Sequence, residues 1–547
     1  MKGMMQHRPL RIIDILTHAA EAFVDQGIIS VRDEGDIHHA TYPEILGRTA
    51  QLAHALDALG VQMGDRVATL AWNGHRHVEL YYALAGIGAV CHTVNPRLSP
   101  EQMAYILNHA GDSLLCIDPS LVPIAEAVAH EAPKGLRYII LTDRAHMPDT
   151  TLDALCYEDL LEGQPTTYDW PEFPEETASG LCYTSGTTGH PKGALYSHRA
   201  TVLHALTVPL AQTTSFAAGK RVMPVVPMFH VNAWGLPYNA PLTGMTMVMP
   251  GRHLDGASLW QLMEDHDVFS AWGVPTVWAG LLAEIQSKTR APHAFRDLVV
   301  GGSAAPASMT EAYEGFGVTV SQAWGMTEMS PIGTHGVVPP RLQNALLSEQ
   351  MQIKTSAGRK KFGLDFKLVD DDGNLMPHDG EAVGELYVRG NTVITGYYDN
   401  PEATNAAMDA DGWFGTGDVA SLTPEGQLII RDRAKDLVKS GGEWISSIDL
   451  ENAAISHPLV KTCAIIAVPH PKWDERPVLV VVPEGDQHPT LEDIHAHMGD
   501  HFAKWQLPDD LLFTDELPLT ATGKISKLTL RQQFADYTHP DQRKGGA

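Results

Sequence analysis

Residues 66–94 decide the fold class, and they read RVATLAWNGHRHVELYYALAGIGAVCHTV. The stretch begins with a short apolar strand pattern at Arg66–Ala71, continues with a helical pattern at Val78–Ile87 and ends with a second strand pattern at Ala89–Val94. A strand, a helix and a further strand in this order form the unit from which parallel sheets covered by helices are built. The stretch therefore predicts an α/β fold.

The same alternation extends outward over residues 41–142. Thr41 and Glu44 form a capping box at the start of a helix, and Gly60 ends that helix. Farther along, Gly384–Arg389 and Gln427–Ile430 have the pattern of antiparallel strands in a β-rich module.

These patterns divide the chain into three parts. We predict a large N-terminal domain over residues 1–431, built from layered α/β subdomains and the β-rich module. A small α+β C-terminal domain follows over residues 432–540, and a short polar tail over residues 541–547. A length of 547 residues is consistent with several packed units.

The charge balance excludes some classes of partner. The chain has 39 lysines and arginines against 66 aspartates and glutamates, which gives a net charge of −27. Such a field repels nucleic acid and anionic membrane surfaces, so we expect neither as a partner. A locally basic site can still bind an anionic small molecule.

Cysteine usage and the apolar runs bear on the compartment. The five cysteines are scattered, with no Cys-x-x-Cys pair, which is typical of reduced thiols and indicates the cytoplasm. The N-terminus has no long apolar stretch, so no secretory signal is expected. Two uncharged runs, Leu80–Pro96 and Val222–Gly251, are interrupted by glycine, proline, histidine and asparagine. They indicate buried strands and loops rather than membrane spans.

The most informative motif is YTSGTTGHPKG, from Tyr183 to Gly193. Glycines let the backbone approach an anion closely, hydroxyls and N–H groups donate to phosphate oxygens, and a lysine supplies charge. The spacing is not that of a Walker loop, and the alternative is a flexible linker. The residues predicted to hold phosphate are Thr184, Ser185, Gly186, Thr187, Thr188, Gly189 and Lys192.

Five further motifs follow this loop in order. They are Trp324-Gly325-Met326-Thr327-Glu328, Gly415-Thr416-Gly417-Asp418, Arg431–Asp436, Lys439–Ser446 and Pro518–Lys524. Together the six resemble the signatures of the acyl-adenylate-forming superfamily over about residues 40 to 530, although a tyrosine is commoner where Trp324 stands. The resemblance is closest to the acyl-CoA synthetase branch, among bacterial ligases for medium-chain fatty acids and 3-methylmercaptopropionate.

The resemblance implies a reaction in two steps at one site between a large domain and a small, mobile C-terminal domain. A carboxylate attacks the α-phosphorus of ATP to give an acyl-adenylate and pyrophosphate, and the thiol of coenzyme A then displaces AMP. ATP, Mg²⁺ and coenzyme A are thus the implied cofactors and co-substrates, and a small carboxylic acid is the implied partner. A homodimer is a further expectation.

The resemblance also assigns the nucleotide side. Asp418 is expected to accept the ribose hydroxyls beside Arg433, and Thr327 to contact the α-phosphate. Glu328, with Thr184 as a second ligand, is expected to hold Mg²⁺, whose preferred ligands are oxygens. The alternatives are a helix-capping acid for Glu328 and a turn residue for Asp418. Around the adenine we expect Gly302, Ser303, Ala304, Ala323, Trp324, Gly325 and Met326.

Lys524 is the implied catalytic lysine, which bridges the carboxylate and the α-phosphate during adenylation; the alternative is an ordinary surface lysine. Asp432 lies at the implied hinge between the two domain arrangements. The residues expected to form the thiol channel after rotation are Lys439, Gly441, Gly442, Glu443 and Trp444.

The acyl side is expected around residues 228–235. His230 stands where adenylation domains for amino acids usually have an aspartate, so amino acids are disfavoured as substrates. The resemblance places His230 beside the adenylate, with catalytic importance, and Trp234 as the gate of an acyl tunnel. The alternative is a packed core aromatic and a hydrogen-bonded histidine. The residues expected to line the acyl pocket are His230, Val231, Trp234, Gly302 and Pro331.

We therefore expect an ATP-dependent acyl-CoA synthetase for a short-to-medium apolar acid, with an alkyl or a thioether chain. Two alternatives stay open: a luciferase-like enzyme that oxidises its adenylate, and a non-catalytic nucleotide-binding protein. A zinc site at His497 and His501 is disfavoured because no third ligand converges on them.

Overall fold

The computed structural model describes residues 1, 3–184, 190–211, 215–441, 443–499, 502–520 and 524–541. Within these ranges the strands are β1 (Gly27–Val31), β2 (Ile37–Thr41), β3 (Arg66–Leu70), β4 (Val90–Thr93), β5 (Leu114–Ile117), β6 (Arg137–Ile140), β7 (Ala154–Cys156), β8 (Ala178–Thr184), β9 (Lys192–Ser197), β10 (Arg221–Pro224), β11 (Thr246–Met249), β12 (Ser270–Gly273), β13 (Asp297–Gly301), β14 (Thr319–Gly325), β15 (Ile332–His335), β16 (Gly358–Lys360), β17 (Leu364–Val369), β18 (Gly384–Gly390), β19 (Phe414–Leu422), β20 (Gln427–Arg433), β21 (Val438–Ser440), β22 (Glu443–Ile445), β23 (Val460–His470), β24 (Asp474–Pro483) and β25 (Asp510–Phe513).

The α-helices of the same ranges are α1 (Ile13–Ala22), α2 (Tyr42–Ala58), α3 (His75–Gly86), α4 (Pro100–Ala110), α5 (Val122–Val128), α6 (Tyr157–Leu161), α7 (His198–Ala211), α8 (Leu236–Leu242), α9 (Gly256–Asp265), α10 (Pro275–Lys288), α11 (Ala307–Gly315), α12 (Leu347–Lys354), α13 (Pro401–Ala407), α14 (Ser447–Ala454), α15 (Leu491–Met498) and α16 (Lys527–Gln533). Two short turns, Val231–Gly235 and the 3-10 segment Thr327–Met329, belong to the candidate site.

The α/β alternation builds a first sheet with the strand order β7-β6-β5-β3-β4-β8-β9. Its strands are parallel except for the β8–β9 pair. The strand–helix–strand unit at residues 66–94 is β3, α3 and β4, and the capping box of Thr41 and Glu44 is present at the start of α2. The predicted α/β class is therefore confirmed.

A second sheet has thirteen strands in the order β17-β18-β19-β20-β16-β15-β14-β13-β12-β10-β11-β1-β2. The section from β14 to β1 is parallel, whereas all pairs from β14–β15 through to β17 are antiparallel. The antiparallel section is the predicted β-rich module, and it continues the parallel sheet edge to edge. One apolar cluster, which includes Leu80, Tyr82, Met247 and Trp272, lies between the two large sheets.

The third sheet, with the order β22-β21-β24-β23 and β25 paired to β24, belongs to the C-terminal part of the chain and has its own apolar clusters. The predicted domain boundary after residue 431 falls inside β20, where Asp432 still pairs with Val419 of the second sheet. Helix α15 ends at Met498, and Gly499, a residue unfavourable in helices, follows it. None of the described helices combines the length and apolar character needed to cross a bilayer.

Candidate active site

The candidate site lies at the carboxyl ends of parallel strands, where ligands usually bind in α/β sheets because the chain leaves the sheet there. β13 ends at Gly301, β14 at Gly325 and β8 at Thr184. Gly302 makes the turn after β13 with φ +84°, a conformation that favours glycine. Ser303 and Ala304 are exposed beyond this turn, and Trp324, Gly325 and Met326 are partly exposed at the end of β14.

Asp418, the predicted ribose ligand, is buried and held by two donors. Arg433 Nε lies 2.8 Å from its Oδ1 atom, and the indole N–H of Trp324 donates to its Oδ2 atom at 2.9 Å. Each carboxylate oxygen accepts more than one hydrogen bond, so both retain capacity for a ribose hydroxyl. The structure therefore brings three predicted residues together and orients the carboxylate.

Glu328 lies in the 3-10 turn Thr327–Met329 and is only 6% exposed, which excludes a solvated capping acid. The phenol of Tyr397 donates to Glu328 Oε1 at 2.7 Å, and the phenol of Tyr196 donates to the Thr327 carbonyl at 2.6 Å. Burial raises the pKa of the Glu328 carboxyl, against the opposing effect of the Tyr397 hydrogen bond.

The donor chemistry at Glu328 fits a divalent cation. Among the described residues its carboxylate forms a hydrogen bond to Tyr397 and no direct ion pair, although it is buried. A buried carboxylate is costly unless a cation or further donors compensate it, and carboxylate oxygens suit Mg²⁺. The strand that ends at Thr184 packs against this turn, so both predicted ligands belong to one region.

The ends of the predicted phosphate loop are paired across a hairpin, Thr184 on β8 opposite Lys192 on β9. Ser185 to Gly189 lie outside the described residues. The Lys192 ammonium lies 5.1 Å from the ring centre of Tyr397, whose hydroxyl binds Glu328. The tyrosine therefore links the loop lysine to the predicted magnesium ligand.

Lys524, which belongs to the small C-terminal part, lies beside Gly302, one of the residues predicted to bind the nucleotide. A side-chain carbon built at Gly302 would lie 3.4 Å from Lys524 Cε. Burial, followed by the positive charge of Arg433, lowers the pKa of Lys524 to about 8, while Asp418 and Glu328 act in the opposite direction. Lys524 is thus partly buried, and it lies close enough to Asp418 and Glu328, two predicted ligands, for their charges to act on it.

The predicted hinge residue, Asp432, is buried, and both of its carboxylate oxygens accept hydrogen bonds. Its Oδ2 accepts the Ser447 N–H at 2.6 Å, and its Oδ1 accepts the Arg433 N–H at 2.8 Å. The ammonium of Lys527 lies 2.7 Å from Glu451 and also contacts Ser447. Asp432 therefore ties the last strand of the large sheet to the start of α14.

The described residues of the predicted thiol channel form a separate hairpin, β21 and β22. The Lys439 ammonium lies 4.7 Å from the Trp444 ring centre, and Gly441 donates its N–H to the Trp473 carbonyl at 2.9 Å. Gly441 has φ +61°, and Glu443 is exposed. Gly442 lies outside the described residues. None of these contacts among the described residues reaches Lys524, so the predicted channel hairpin and the predicted catalytic lysine occupy different places in this arrangement.

On the acyl side, four consecutive residues from Val231 to Trp234 have left-handed φ values between 47° and 55°. This turn directs the Trp234 ring at β13 and β14, where a carbon built at Gly301 would lie 2.8 Å from Trp234 Cη2. His230, beside the turn, has a pKa lowered to about 3 by burial and by Lys524 and Arg97. Val231 and Pro331 are buried. The ring of Trp234, the predicted gate, therefore lies against the end of β13, beside the residues predicted to bind the nucleotide.

A second group of possible metal ligands consists of His470, His539 and Asp541. The hydrogen bonds of its two histidines do not suit metal binding. His470 Nδ1 accepts the Lys472 and Trp473 N–H groups at 3.1 and 3.3 Å, and His539 Nδ1 accepts the Asp541 N–H at 3.2 Å. In a neutral imidazole the proton is then on Nε2, so neither ring offers a lone pair to a metal. At the disfavoured zinc site, His497 Nε2 forms a hydrogen bond with Ser456 Oγ at 2.7 Å. His501 lies outside the described residues.

Sequence reasoning missed Tyr397 and Tyr196. They lie 69 and 131 residues from the groups they bind, and neither belongs to a motif. No local spacing signals such partners.

The two-domain arrangement and this site define an enzyme that activates an acid with a nucleotide. The AMP-binding enzyme family matches this chain over residues 16–398, and the AMP-binding enzyme C-terminal domain matches it over residues 449–524. The chain therefore belongs to the AMP-binding enzyme family. It is an AMP-forming acid–thiol ligase of the acyl-CoA synthetase branch, and it uses ATP, Mg²⁺ and coenzyme A.

The chain is 45% identical to a 3-methylmercaptopropionyl-CoA ligase of Ruegeria lacuscaerulensis, over 98% of this chain and 99% of that protein. It is 45% identical to a long-chain-fatty-acid–CoA ligase of Thermus thermophilus over 97% of both chains, and 42% identical to a medium-chain-fatty-acid–CoA ligase of Ectopseudomonas oleovorans over 98% of both. The crystal structure of the anthranilate CoA ligase AuaEII with anthranoyl-AMP shares the fold, with a TM-score of 0.84 and 24% identity over 97% of this chain and 99% of that chain.

Proposed function

We propose that this ligase activates a short-to-medium acid with an apolar chain, either an alkyl acid or a thioether acid such as 3-methylmercaptopropionate, and transfers it to coenzyme A. Phe229, Val231 and Trp234 are buried apolar residues of the segment that is expected to line the acyl pocket. Similar chains carry the names of ligases for a thioether acid and for medium- and long-chain fatty acids. Both observations favour an acid without an α-ammonium group.

In the first half-reaction, a carboxylate oxygen of the acid bonds to the α-phosphorus of ATP while the bond to pyrophosphate breaks. We assign charge stabilisation of this step to Lys524, with Thr327 at the α-phosphate and residues 184–192 at the β- and γ-phosphates. Asp418 and Arg433 orient the ribose, and Glu328 with Thr184 would hold Mg²⁺. Preorganised cations and dipoles of this kind supply most of the barrier reduction in such sites.

In the second half-reaction, the sulfur of coenzyme A bonds to the acyl carbon and the bond to AMP breaks. We assign Asp432 as the hinge for a rotation of the small domain that removes Lys524 and brings in the β21–β22 hairpin. Lys439, Gly441, Gly442, Glu443 and Trp444 then line the path of the pantetheine arm.

One observation carries the proposal: Lys524 lies against Gly302, in the electrostatic field of Asp418, Glu328 and Arg433. This contact supports the proposal, because a lysine of the C-terminal part lies beside the residues that are expected to bind the nucleotide. This is the arrangement that adenylation requires.

The test is an acid panel with purified enzyme, ATP, Mg²⁺ and coenzyme A. We expect AMP, pyrophosphate and an acyl-CoA, with the highest kcat/KM among short-to-medium thioether or alkyl acids. ADP and orthophosphate as first products would contradict the proposal. Oxygen uptake or light would favour the luciferase-like alternative, and nucleotide binding without turnover would favour a non-catalytic protein.

Two further expectations concern the cellular compartment and the oligomeric state of the enzyme. All five cysteines are buried and unpaired, which supports the cytoplasm as its compartment. A homodimer stays a prediction from resemblance, and light scattering of the purified protein at working concentration tests it.

A further inference from the structure

The predicted phosphate loop and Glu328, a predicted metal ligand, lie on different sheets, and one segment of the chain contacts both. Lys192, at the end of the loop, begins β9 of the first sheet, whereas Glu328 follows β14 of the second sheet. Residues 392–398, which we call the bridging segment, lie between β18 and α13. They belong to none of the six motifs, so the fold alone brings this segment to the site.

Two backbone hydrogen bonds attach the bridging segment to both sheets. The Ile394 N–H donates to the Glu328 carbonyl at 2.9 Å, and the Tyr398 N–H donates to the Gly193 carbonyl at 2.8 Å. Gly193 directly follows Lys192. The segment therefore has a fixed position relative to the start of β9 and to the turn that carries Glu328.

The side chain of Tyr397 adds two contacts between the same partners. Its hydroxyl donates to Glu328 Oε1 at 2.7 Å. Its ring centre lies 5.1 Å from the Lys192 ammonium, within the range in which an aromatic ring attracts a cation. No other described side chain donates a hydrogen bond to the Glu328 carboxylate. The phenol therefore fixes one oxygen of Glu328 and leaves the second oxygen for a cation.

Tyr196 makes a corresponding connection from β9. Side chains two residues apart on a strand share a face, so Lys192 and Tyr196 lie on the same side of β9. The buried Tyr196 hydroxyl donates to the carbonyl of Thr327 at 2.6 Å, and Thr327 directly precedes Glu328. The contacts thus form a closed series of five residues: Lys192, Tyr397, Glu328, Thr327 and Tyr196.

Tyr397 is itself held by a third part of the fold, so it can position its two partners. Its N–H donates to Thr404 Oγ1 on α13 at 2.9 Å, and its ring meets the ring of Phe414 edge to face, with 6.1 Å between the centres. A carbon built at Gly396 would lie 2.7 Å from Thr404 Cγ2, so the glycine permits this close approach. The position of the phenol therefore does not depend on Lys192 or Glu328.

We propose that Tyr397 is a positioning residue for adenylation. Its hydroxyl orients the Glu328 carboxylate for Mg²⁺, and its ring holds the Lys192 ammonium close to the same site. Hydrogen-bond partners of a metal ligand typically contribute about 10–100-fold to metal affinity, because they fix the orientation of the ligand. This inference rests on the roles proposed above for Glu328 and Lys192, and it assigns a role to a residue outside the motifs.

The two contacts of Tyr397 can be removed one at a time. Tyr397→Phe keeps the ring beside Lys192 and removes the hydroxyl, whereas Tyr397→Leu removes both contacts. Isothermal titration calorimetry with α,β-methylene-ATP, whose bridge between the α- and β-phosphorus is not cleaved, gives Kd with and without Mg²⁺. The ratio of the two Kd values measures the contribution of the metal to nucleotide binding, and it requires neither an acid nor turnover.

In Tyr397→Phe the contribution of the metal should fall about tenfold or more. The Kd without Mg²⁺ should stay at the wild-type value, because the contact with Lys192 remains. In pyrophosphate exchange, the half-saturating Mg²⁺ concentration should rise by a similar factor while KM for the acid is unchanged. Tyr397→Leu should raise the metal-free Kd as well, since no ring then holds the Lys192 ammonium.

Tyr398→Phe is the matched control. It removes the hydroxyl of the neighbouring tyrosine, which forms no hydrogen bond among the described residues, and it keeps the backbone bond to Gly193. All of its binding and kinetic values should stay at those of the wild type. The Tm of each variant is measured in parallel, because a general loss of stability would change both Kd values and KM for the acid together.

Two results would overturn the proposal. An undiminished metal contribution in Tyr397→Phe would show that the phenol does not position Glu328, and an equal change of Kd with and without Mg²⁺ would show a structural role only. Either result leaves the proposed acid-activating function standing. If instead no acid supports pyrophosphate exchange in the wild-type enzyme, that function fails, while the calorimetric comparison still decides whether Tyr397 positions the metal ligand.

Discussion

The two ends of the candidate site differ in how their polar groups are satisfied. At the nucleotide end, Asp418 is held by Arg433 and Trp324, and Glu328 is held by Tyr397. At the acyl end, Asn239, on the helix that follows the Val231–Gly235 turn, is equally buried, but its amide nitrogen and oxygen have no partner among the described residues. The nucleotide is the same in every turnover, so its ligands can be preorganised by the protein.

This comparison predicts that changes at the nucleotide end affect all acids alike, whereas changes at the acyl end alter the order of preference. The largest effect is expected at Lys524. Lys524→Ala should reduce pyrophosphate exchange by about 10²–10³-fold for every acid, because one preorganised donor to the transition state is lost. Conversion of synthetic acyl-AMP and coenzyme A to the thioester should stay near the normal rate.

Lys461→Ala, at an exposed lysine of the same domain, is the control and should leave both rates unchanged. Equal loss of both half-reactions in a folded Lys524→Ala protein would argue against alternation of the small domain about Asp432.

The pH dependence of adenylation should show the titration of a group with a pKa of about 8. The pKa of Lys524 is lowered to about 8, so the ammonium form that stabilises charge predominates well below that pH, is half lost at that pH and is lost above it. Exchange should fall toward tenfold per pH unit above pH 8 for all acids, and this lysine should cause little loss below pH 7. A flat profile from pH 7 to 9.5 would contradict the assigned role.

A substitution in the predicted thiol channel should have the opposite effect on the two half-reactions: it should slow the second and spare the first. Gly441 has φ +61°, and a carbon built there would lie 2.9 Å from the Trp473 ring. Gly441→Val should slow thioester formation at least tenfold while pyrophosphate exchange persists. Gly485→Val, at a glycine with φ +73° and open space around it, separates backbone strain from obstruction. Loss of exchange in Gly441→Val would place this hairpin in the first half-reaction.

Trp324→Phe tests the hydrogen bond at the ribose end. The substitution keeps an aromatic ring but removes the N–H that donates to Asp418. Loss of a hydrogen bond to a charged group costs about 1.5–3 kcal/mol at most, so KM for ATP should rise about tenfold, equally for every acid. Steady-state kinetics with two acids of different length measure this, and an acid-dependent change would break the separation between the two ends.

The smallest effect is expected at Trp234, and it should be selective. Trp234→Ala opens the gate, and each methylene that becomes buried adds about 0.8 kcal/mol, or about fourfold in kcat/KM. Longer alkyl acids should gain on shorter ones, while KM for ATP stays constant. An unchanged order of chain lengths would show that another group limits the acid.

The arrangement of local elements was predictable because its signals lie within a few residues of each other. The capping box before α2 and the strand–helix–strand unit at residues 66–94 follow from periodicity and spacing, and both are present. The joining of the β-rich module to the parallel sheet was not predictable, since the pairing of β14 with β15 and of β16 with β20 depends on contacts between distant segments.

The sequence by itself determined the α/β class, the six ordered motifs and, through them, the family, because each motif is a short run whose chemistry is local. Only the tertiary structure decided which partners those motif residues have: Trp324 on Asp418, Tyr397 on Glu328, and Lys524 against Gly302. It also decided that His335 and Lys361 are enclosed, with side-chain nitrogens that have no hydrogen-bond partner among the described residues. Burial and pairing are properties of packed surfaces from distant parts of the chain, and no pattern along one segment encodes them.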